Sequence, residues 1–195
     1  MALAVKPRLR PGRVYRTRDL SRWGANPTRL AGRLAEQRKL VPLAHGLYLS
    51  PKEGRFGLVP ATDEELMRVF LDGDDYVFTG PERWNALCLG TTASFASALV
   101  YNTKRSGTFD LGARRFVLRR VAFPTKPSPE WFVVDLFQHA DQAAASRDEL
   151  EDALARALRD GRFDRSRLRR MAERYGSKDT QSRISGALDV SAQVG

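Results

Sequence analysis

Residues 17–50 read TRDLSRWGANPTRLAGRLAEQRKLVPLAHGLYLS, and their punctuation predicts two helices, a tight turn and a two-stranded wing. In the first helix, residues 18–23, Leu20 and Trp23 fall three apart on one face, and Thr17 is suited as N-cap. Gly24 ends it. Asn26 then offers a capping side chain and Pro27 a first-turn residue whose fixed φ already matches a helix, so a second helix starts there and runs to about Lys39. Its apolar residues Leu30, Ala31, Leu34, Ala35 and Leu40 recur at helical spacing and predict the buried face. The following KLVPLAHGLYLSPK alternates apolar and polar residues around His45 and Gly46, which predicts two strands turning at that pair. With a short strand over residues 13–16 in front, this is the layout of a winged helix-turn-helix, a module that reads DNA.

The charge distribution points the same way. The chain has 195 residues, 33 Lys or Arg and 23 Asp or Glu, for a formal net charge of +10. Residues 1–57 hold 13 Lys or Arg against three acids, Asp19, Glu36 and Glu53, so the other 138 residues sum to zero. They do so in blocks: 58–100 at −5, 101–127 at +6, 128–160 at −5 and 161–195 at +4. A cationic excess concentrated on a helix-turn-helix pattern points to a polyanion partner.

A major groove admits one α-helix, and the N-terminal end of a recognition helix enters deepest. Asn26, Thr28, Arg29 and Arg33 are therefore the expected groove-facing residues, since Arg pairs two donors with guanine while Asn and Thr meet bases or phosphates. Arg22 and Lys39 are expected on phosphates, and His45 at the wing tip beside a minor groove or a phosphate. The alternatives stay open: Asn26 only caps its helix, the arginines only solvate its face, and His45 is a turn residue without function.

Beyond the wing, Thr62 with Glu65 predicts a capping box for a helix through Leu71, ended by the DGDD cluster of Asp72, Asp74 and Asp75. YVFTG reads as a buried strand, PERWNALCL as a helix opened by Pro81, and ALVYNT as another strand, which makes an α/β layer. YNTKRSGTFDLGARRFVLRRVAFP reads as strands joined by turns at Ser106–Gly107 and Leu111–Gly112. It carries a second basic patch, Arg114, Arg115, Arg119 and Arg120, with Arg115 and Arg119 opposite Phe116 and Leu118 on the strand. That patch holds DNA backbone or an acidic partner, or else simply guards a strand edge with charge. From Ser128 the pattern is helical, in WFVVDLFQHA, DELEDALARALRDG and DRSRLRRMAERYG up to Gly176. The expected fold class is mixed α/β (α+β): a winged helix-turn-helix over 1–57, a small α/β domain over 58–127, a C-terminal helical bundle over 128–190 and a mobile tail over 191–195.

Several function classes are disfavoured. No run of about 18 apolar residues is present, so no membrane span is expected, and MALAVKPRLRPGR is unlike a secretory signal, which places the protein in the cytoplasm. The single Cys88 has no disulfide partner within the chain and reads as a buried small side chain among apolar neighbours. His45 and His139 are far apart in sequence, and the DGDD cluster lacks the closing Glu of a calcium loop, so no metal is expected. No Asp or Glu stands two residues before a Lys, and there is no phosphate-cradling glycine loop, GxSxG elbow or Cys–His dyad. An enzyme is not expected, nor a cofactor.

The segments GRVYRTRDL, NPTRLAGRLAEQRKL, HGLYLSP, LVPATDEEL and TGPERWNALCLG, in that order over about residues 12–123, resemble the AbiEi-type antitoxins of bacterial abortive-infection (type IV) toxin-antitoxin systems, in their short form. The family carries a helix ahead of the GRVYRTRDL segment, where this chain has MALAVKPRLRP interrupted by Pro7 and Pro11. The resemblance implies a winged-helix DNA-binding domain followed by a mixed α/β domain, with the recognition helix on residues 26–39 and the wing on 40–50. It also implies an autorepressor that binds double-stranded promoter DNA and counters a nucleotidyltransferase-like toxin encoded beside it. Paired half-sites would bring two copies together on the DNA. The competing reading is a stand-alone winged-helix transcription regulator whose later parts serve dimerisation or sensing.

Overall fold

A computed structural model describes residues 7–193 of the chain, which is mixed α+β. Strands β1 (Val14–Arg16), β2 (Val41–Ala44) and β3 (Leu47–Leu49) form an antiparallel sheet in the order β1-β3-β2. β2 and β3 turn at His45–Gly46, where Gly46 takes φ +71 and its carbonyl accepts the Thr17 N–H at 2.9 Å. Between β1 and β2 lie a 3₁₀ helix (Thr17–Trp23) and helix α1 (Pro27–Glu36). Tyr15, Leu20, Leu30, Ala31, Leu34 and Leu40 bury one shared core beneath them.

Two local expectations change. The first helix is 3₁₀, and its start is held by Asp19, whose carboxylate accepts the Arg16 N–H at 2.8 Å, so Thr17 is not the cap. Helix α1 starts where Asn26–Pro27 predicts but ends at Glu36 instead of Lys39. There Arg38 turns to φ 56, and the N–H groups of Lys39 and Leu40 fold back onto the Leu34 carbonyl at 2.8 and 3.1 Å. That closure brings Leu40 into the core beside Leu34.

A short hairpin, β4 (Glu53–Gly54) with β5 (Gly57–Leu58), leads to α2 (Asp63–Leu71), which packs on β1. Arg16 donates from Nε and Nη2 to the Val69 and Phe70 carbonyls in the last turn of α2, each at 2.6 Å. Asp72, the left-handed residue that closes α2, pairs with Arg18. The expected capping box is half formed. Thr62 Oγ1 accepts the Glu65 N–H at 3.2 Å, but the Glu65 carboxylate takes the Val14 N–H at 3.3 Å and an ion pair with Arg68.

A four-stranded sheet follows in the order β6-β7-β9-β8, built of β6 (Tyr76–Thr79), β7 (Ala98–Asn102), β8 (Gly107–Leu111) and β9 (Arg114–Arg120). Helix α3 (Pro81–Asn85) sits between β6 and β7, and α4 (Pro129–Gln138), α5 (Arg147–Arg159), α6 (Arg165–Tyr175) and α7 (Lys178–Gln193) complete the chain. α3 ends before the expected WNALCL stretch is over. Cys88 there adopts φ 54 and is exposed while Leu87 and Leu89 turn inward, which corrects its expected burial.

Helix α7 goes beyond the sequence reading and runs on through residues 191–193 of the expected tail; residues 194 and 195 lie outside the described ones. Thr180, Ile184, Ala187, Leu188 and Ser191 form its buried stripe, and Arg165 Nη2 donates to the Ser191 carbonyl at 2.9 Å in its last turn. The chain divides into two compact units. One comprises residues 1–76 with Thr108–Phe116, the other Val77–Gly107 with Val117–Gly195, and the division falls inside β9.

The second unit is built around Asp135 on α4, which is 1% exposed. Its carboxylate accepts from Thr79 Oγ1, from Trp84 Nε1 at 2.8 Å and from the Tyr101 hydroxyl at 2.7 Å. His139, one helical turn on, lies 3.4 Å from the same carboxylate and stacks on Trp84 at 5.5 Å between centroids. Burial opposes a charge on His139, but hydrogen bonding to Asp135 and its negative charge outweigh that, and the imidazole is raised above its ordinary value; Arg119 works the other way. Burial and the same carboxylate push the Tyr101 hydroxyl up.

The native state thus holds the His139 proton more tightly than the unfolded chain does. The stabilisation is complete below the unfolded value of about 6.5 and is lost as pH rises through the higher folded value. The thermal midpoint is expected to fall between about pH 6 and pH 8, and His139→Asn to flatten that dependence, as read by calorimetry across the range.

Candidate nucleic-acid interface

Helix α1 presents two faces set by its 3.6-residue period. Leu30, Ala31 and Leu34 are buried, whereas Thr28, Arg29, Gly32, Arg33 and Glu36 are exposed. Arg29 and Arg33 are one turn apart, about 6 Å along the axis. Among the described residues neither has an ion-pair partner. Both guanidinium groups are therefore available to an external anion.

The other expected contacts have local duties. Asn26 Oδ1 accepts the Arg29 N–H at 2.9 Å, so this side chain caps α1. Arg22 donates from Nε to the Asp19 carbonyl at 2.8 Å and lies 5.2 Å from the Trp23 ring. Lys39 Nζ reaches Gln37 Oε1 at 3.0 Å, and His45 is exposed in the β2–β3 turn. All seven residues belong to the first compact unit.

The second basic patch is divided. Arg114 is paired with Asp63, with Nε 2.9 Å from Oδ1, and Arg115 with Asp110 at 2.7 Å. Asp110 is held below the usual carboxylate range by hydrogen bonding to Arg115, with Arg115's charge adding to it. Arg119 and Arg120 are exposed and belong to the other unit, where Ser106 Oγ accepts the Arg120 N–H at 2.8 Å. As expected, Phe116 and Leu118 face inward, at 0% and 1% exposure, with Arg115 and Arg119 outside.

Pairing across long sequence separations is what the sequence reading missed. Arg16 and Arg18 count toward the basic N-terminal third, yet they are engaged by α2 and its closing Asp72, more than 50 residues away. Asp72, read from the sequence only as part of the cluster that ends α2, is thus also an ion-pair partner. No group of three or more His, Cys, Asp or Glu among the described residues is arranged to hold a metal ion, and no helix among them is long and apolar enough to cross a membrane.

No family model and no curated protein matches the chain. In fold it is similar to the solved structure of the RV2827C protein from Mycobacterium tuberculosis. That likeness has a TM-score of 0.53 at 18% sequence identity and covers 92% of this chain and 72% of the other. At that identity it speaks to the fold alone.

Capping and base reading by Asn26 separate experimentally. Asn26→Ala is expected to lower stability by about 1 kcal/mol, whereas Asn26→Asp, which can still cap, is expected to keep it. If Asn26 also reads DNA, Asn26→Asp loses affinity at unchanged stability; denaturant unfolding beside a DNA titration measures both.

Proposed function

We propose that residues 14–49 form a winged helix-turn-helix and that the protein is an antitoxin and transcriptional autorepressor. On this reading α1 enters the major groove of promoter DNA and the β2–β3 turn approaches the adjacent backbone. The observation that carries it is the exposed, unpaired Arg29–Arg33 pair on α1, a helix whose other face is anchored in its own core. Arginines a turn apart can address successive guanines or phosphates, while the buried leucines keep the helix rigid. The β1-β3-β2 sheet and the hairpin turning at His45–Gly46 support the same reading.

The antitoxin role rests on the ordered resemblance to AbiEi-type proteins. The later part of the chain then counters a nucleotidyltransferase-like toxin, and two copies occupy paired half-sites. The protein acts in the cytoplasm, without catalysis or cofactor.

Replacing Arg29 and Arg33 together by Ala is expected to weaken promoter binding by roughly tenfold or more and to lower the slope of log affinity against log salt by up to about 1.8, at about 0.9 per lost phosphate contact. Unchanged affinity in a mobility-shift titration would remove both residues from the interface. Co-expressing the adjacent gene with the wild type and with this double variant separates the two halves of the proposal. Growth rescue by both places neutralisation outside α1, and an adjacent gene that does not arrest growth sinks the antitoxin role.

A further inference from the structure

The second unit carries a cleft of about 350 Å³ whose lining differs from that of two other grooves in the same unit. The groove between α6 and α7 contains Glu173 beside its cations, and the one next to Cys88 contains Glu149 and Asp160. This third cleft is lined by Arg83, Arg162 and otherwise only apolar residues, without a single Asp or Glu. Leu87 and Phe163 are 7% exposed and form a buried floor, and the half-buried Phe132 adds an aromatic wall.

The two cations are placed rather than merely nearby. Arg162 donates from Nη2 to the Leu87 carbonyl at 2.6 Å while its guanidinium lies 5.7 Å from the Phe163 ring centre. Arg83, on α3, lies 5.8 Å from the ring centre of Phe132, on α4. Phe132 is itself fixed edge-on to Trp131 at 4.9 Å. Between the two lining prolines, Pro127 and Pro129, Ser128 Oγ is buried and has no hydrogen-bond partner among the described residues.

We propose that this cleft binds a small organic anion with a flat aromatic body, of mononucleotide size. The chemistry selects such a ligand on three counts. The volume falls in the range of small-molecule sites, about 300–1,000 Å³. Guanidinium groups present paired donors that match phosphate or carboxylate oxygens. Aromatic walls reward a planar body that stacks, and the lack of any acid in the lining removes the repulsion an anion meets in the other two grooves. The assignment is independent of the DNA-binding reading, because every residue involved lies in the second unit.

The test is a nitrogen-15 NMR titration of the full chain with AMP and UMP, with adenosine and inorganic phosphate as half-ligands. Saturable shifts centred on Arg83, Leu87, Phe132 and Phe163 are expected, with each half-ligand at least about tenfold weaker than AMP. Arg83→Ala should weaken AMP roughly tenfold without changing the thermal midpoint, and Phe132→Leu, which keeps apolar bulk but removes the ring, should weaken it severalfold. The proposal is overturned if millimolar nucleotide causes no saturable shift, if the shifts centre on α1, if adenosine or phosphate alone binds as well as AMP, or if both variants bind like the wild type.

Discussion

Asp135 puts a carboxylate into an apolar core, and the elements around it are placed by the need to satisfy its oxygens. Removing an ion of this kind from water carries a penalty of several kcal/mol even after relaxation. The donors that offset it come from β6 through Thr79, from α3 through Trp84 and from β7 through Tyr101, with His139 a turn further along α4. One side chain therefore sets the spacing between strands and helix in the second unit. A purely apolar contact would let these elements slide, whereas directional hydrogen bonds to two oxygens leave little tolerance.

The first unit is organised by a division of labour among its arginines. Arg16 closes the end of α2, Arg18 pairs with Asp72, Arg114 with Asp63 and Arg115 with Asp110. Exposed pairs of this kind each contribute little to stability, a median of about 0–1 kcal/mol, yet they sort the cations. Those left without an ion pair among the described residues, on α1, are Arg29 and Arg33. A count of Lys and Arg by segment overstates the field of the N-terminal third because it does not see which charges are already answered.

Much of the fold is legible where a local signal is strong. Asn26–Pro27, Thr62, Pro129 and Asp164 each mark a helix start, Gly176 marks a stop, and His45–Gly46 marks the turn between β2 and β3. Legibility fails where the determinant is non-local. SKDTQSRISGALDVSAQ is rich in small polar residues and contains Gly186, so its helical character depends on the stripe it buries against the core. The engagement of Arg16 and Arg18 depends on Val69, Phe70 and Asp72, more than 50 residues further along the chain. The cleft beside Phe132 is assembled from three separate stretches of chain, and only the fold brings its two arginines to the same rim.

The first unit is not continuous in the chain, since its last segment, Thr108–Phe116, arrives some 40 residues after Tyr76. A ribosome adding about 5–20 residues per second needs roughly 2–8 s to cover that interval. In that time the nascent N-terminal part has no Gly112 N–H for the Leu43 carbonyl, no Phe109 ring for Phe70 and no Arg114 for Asp63. The basic segment that carries α1 is thus made before Thr108–Phe116 and is finished only once that segment has joined it.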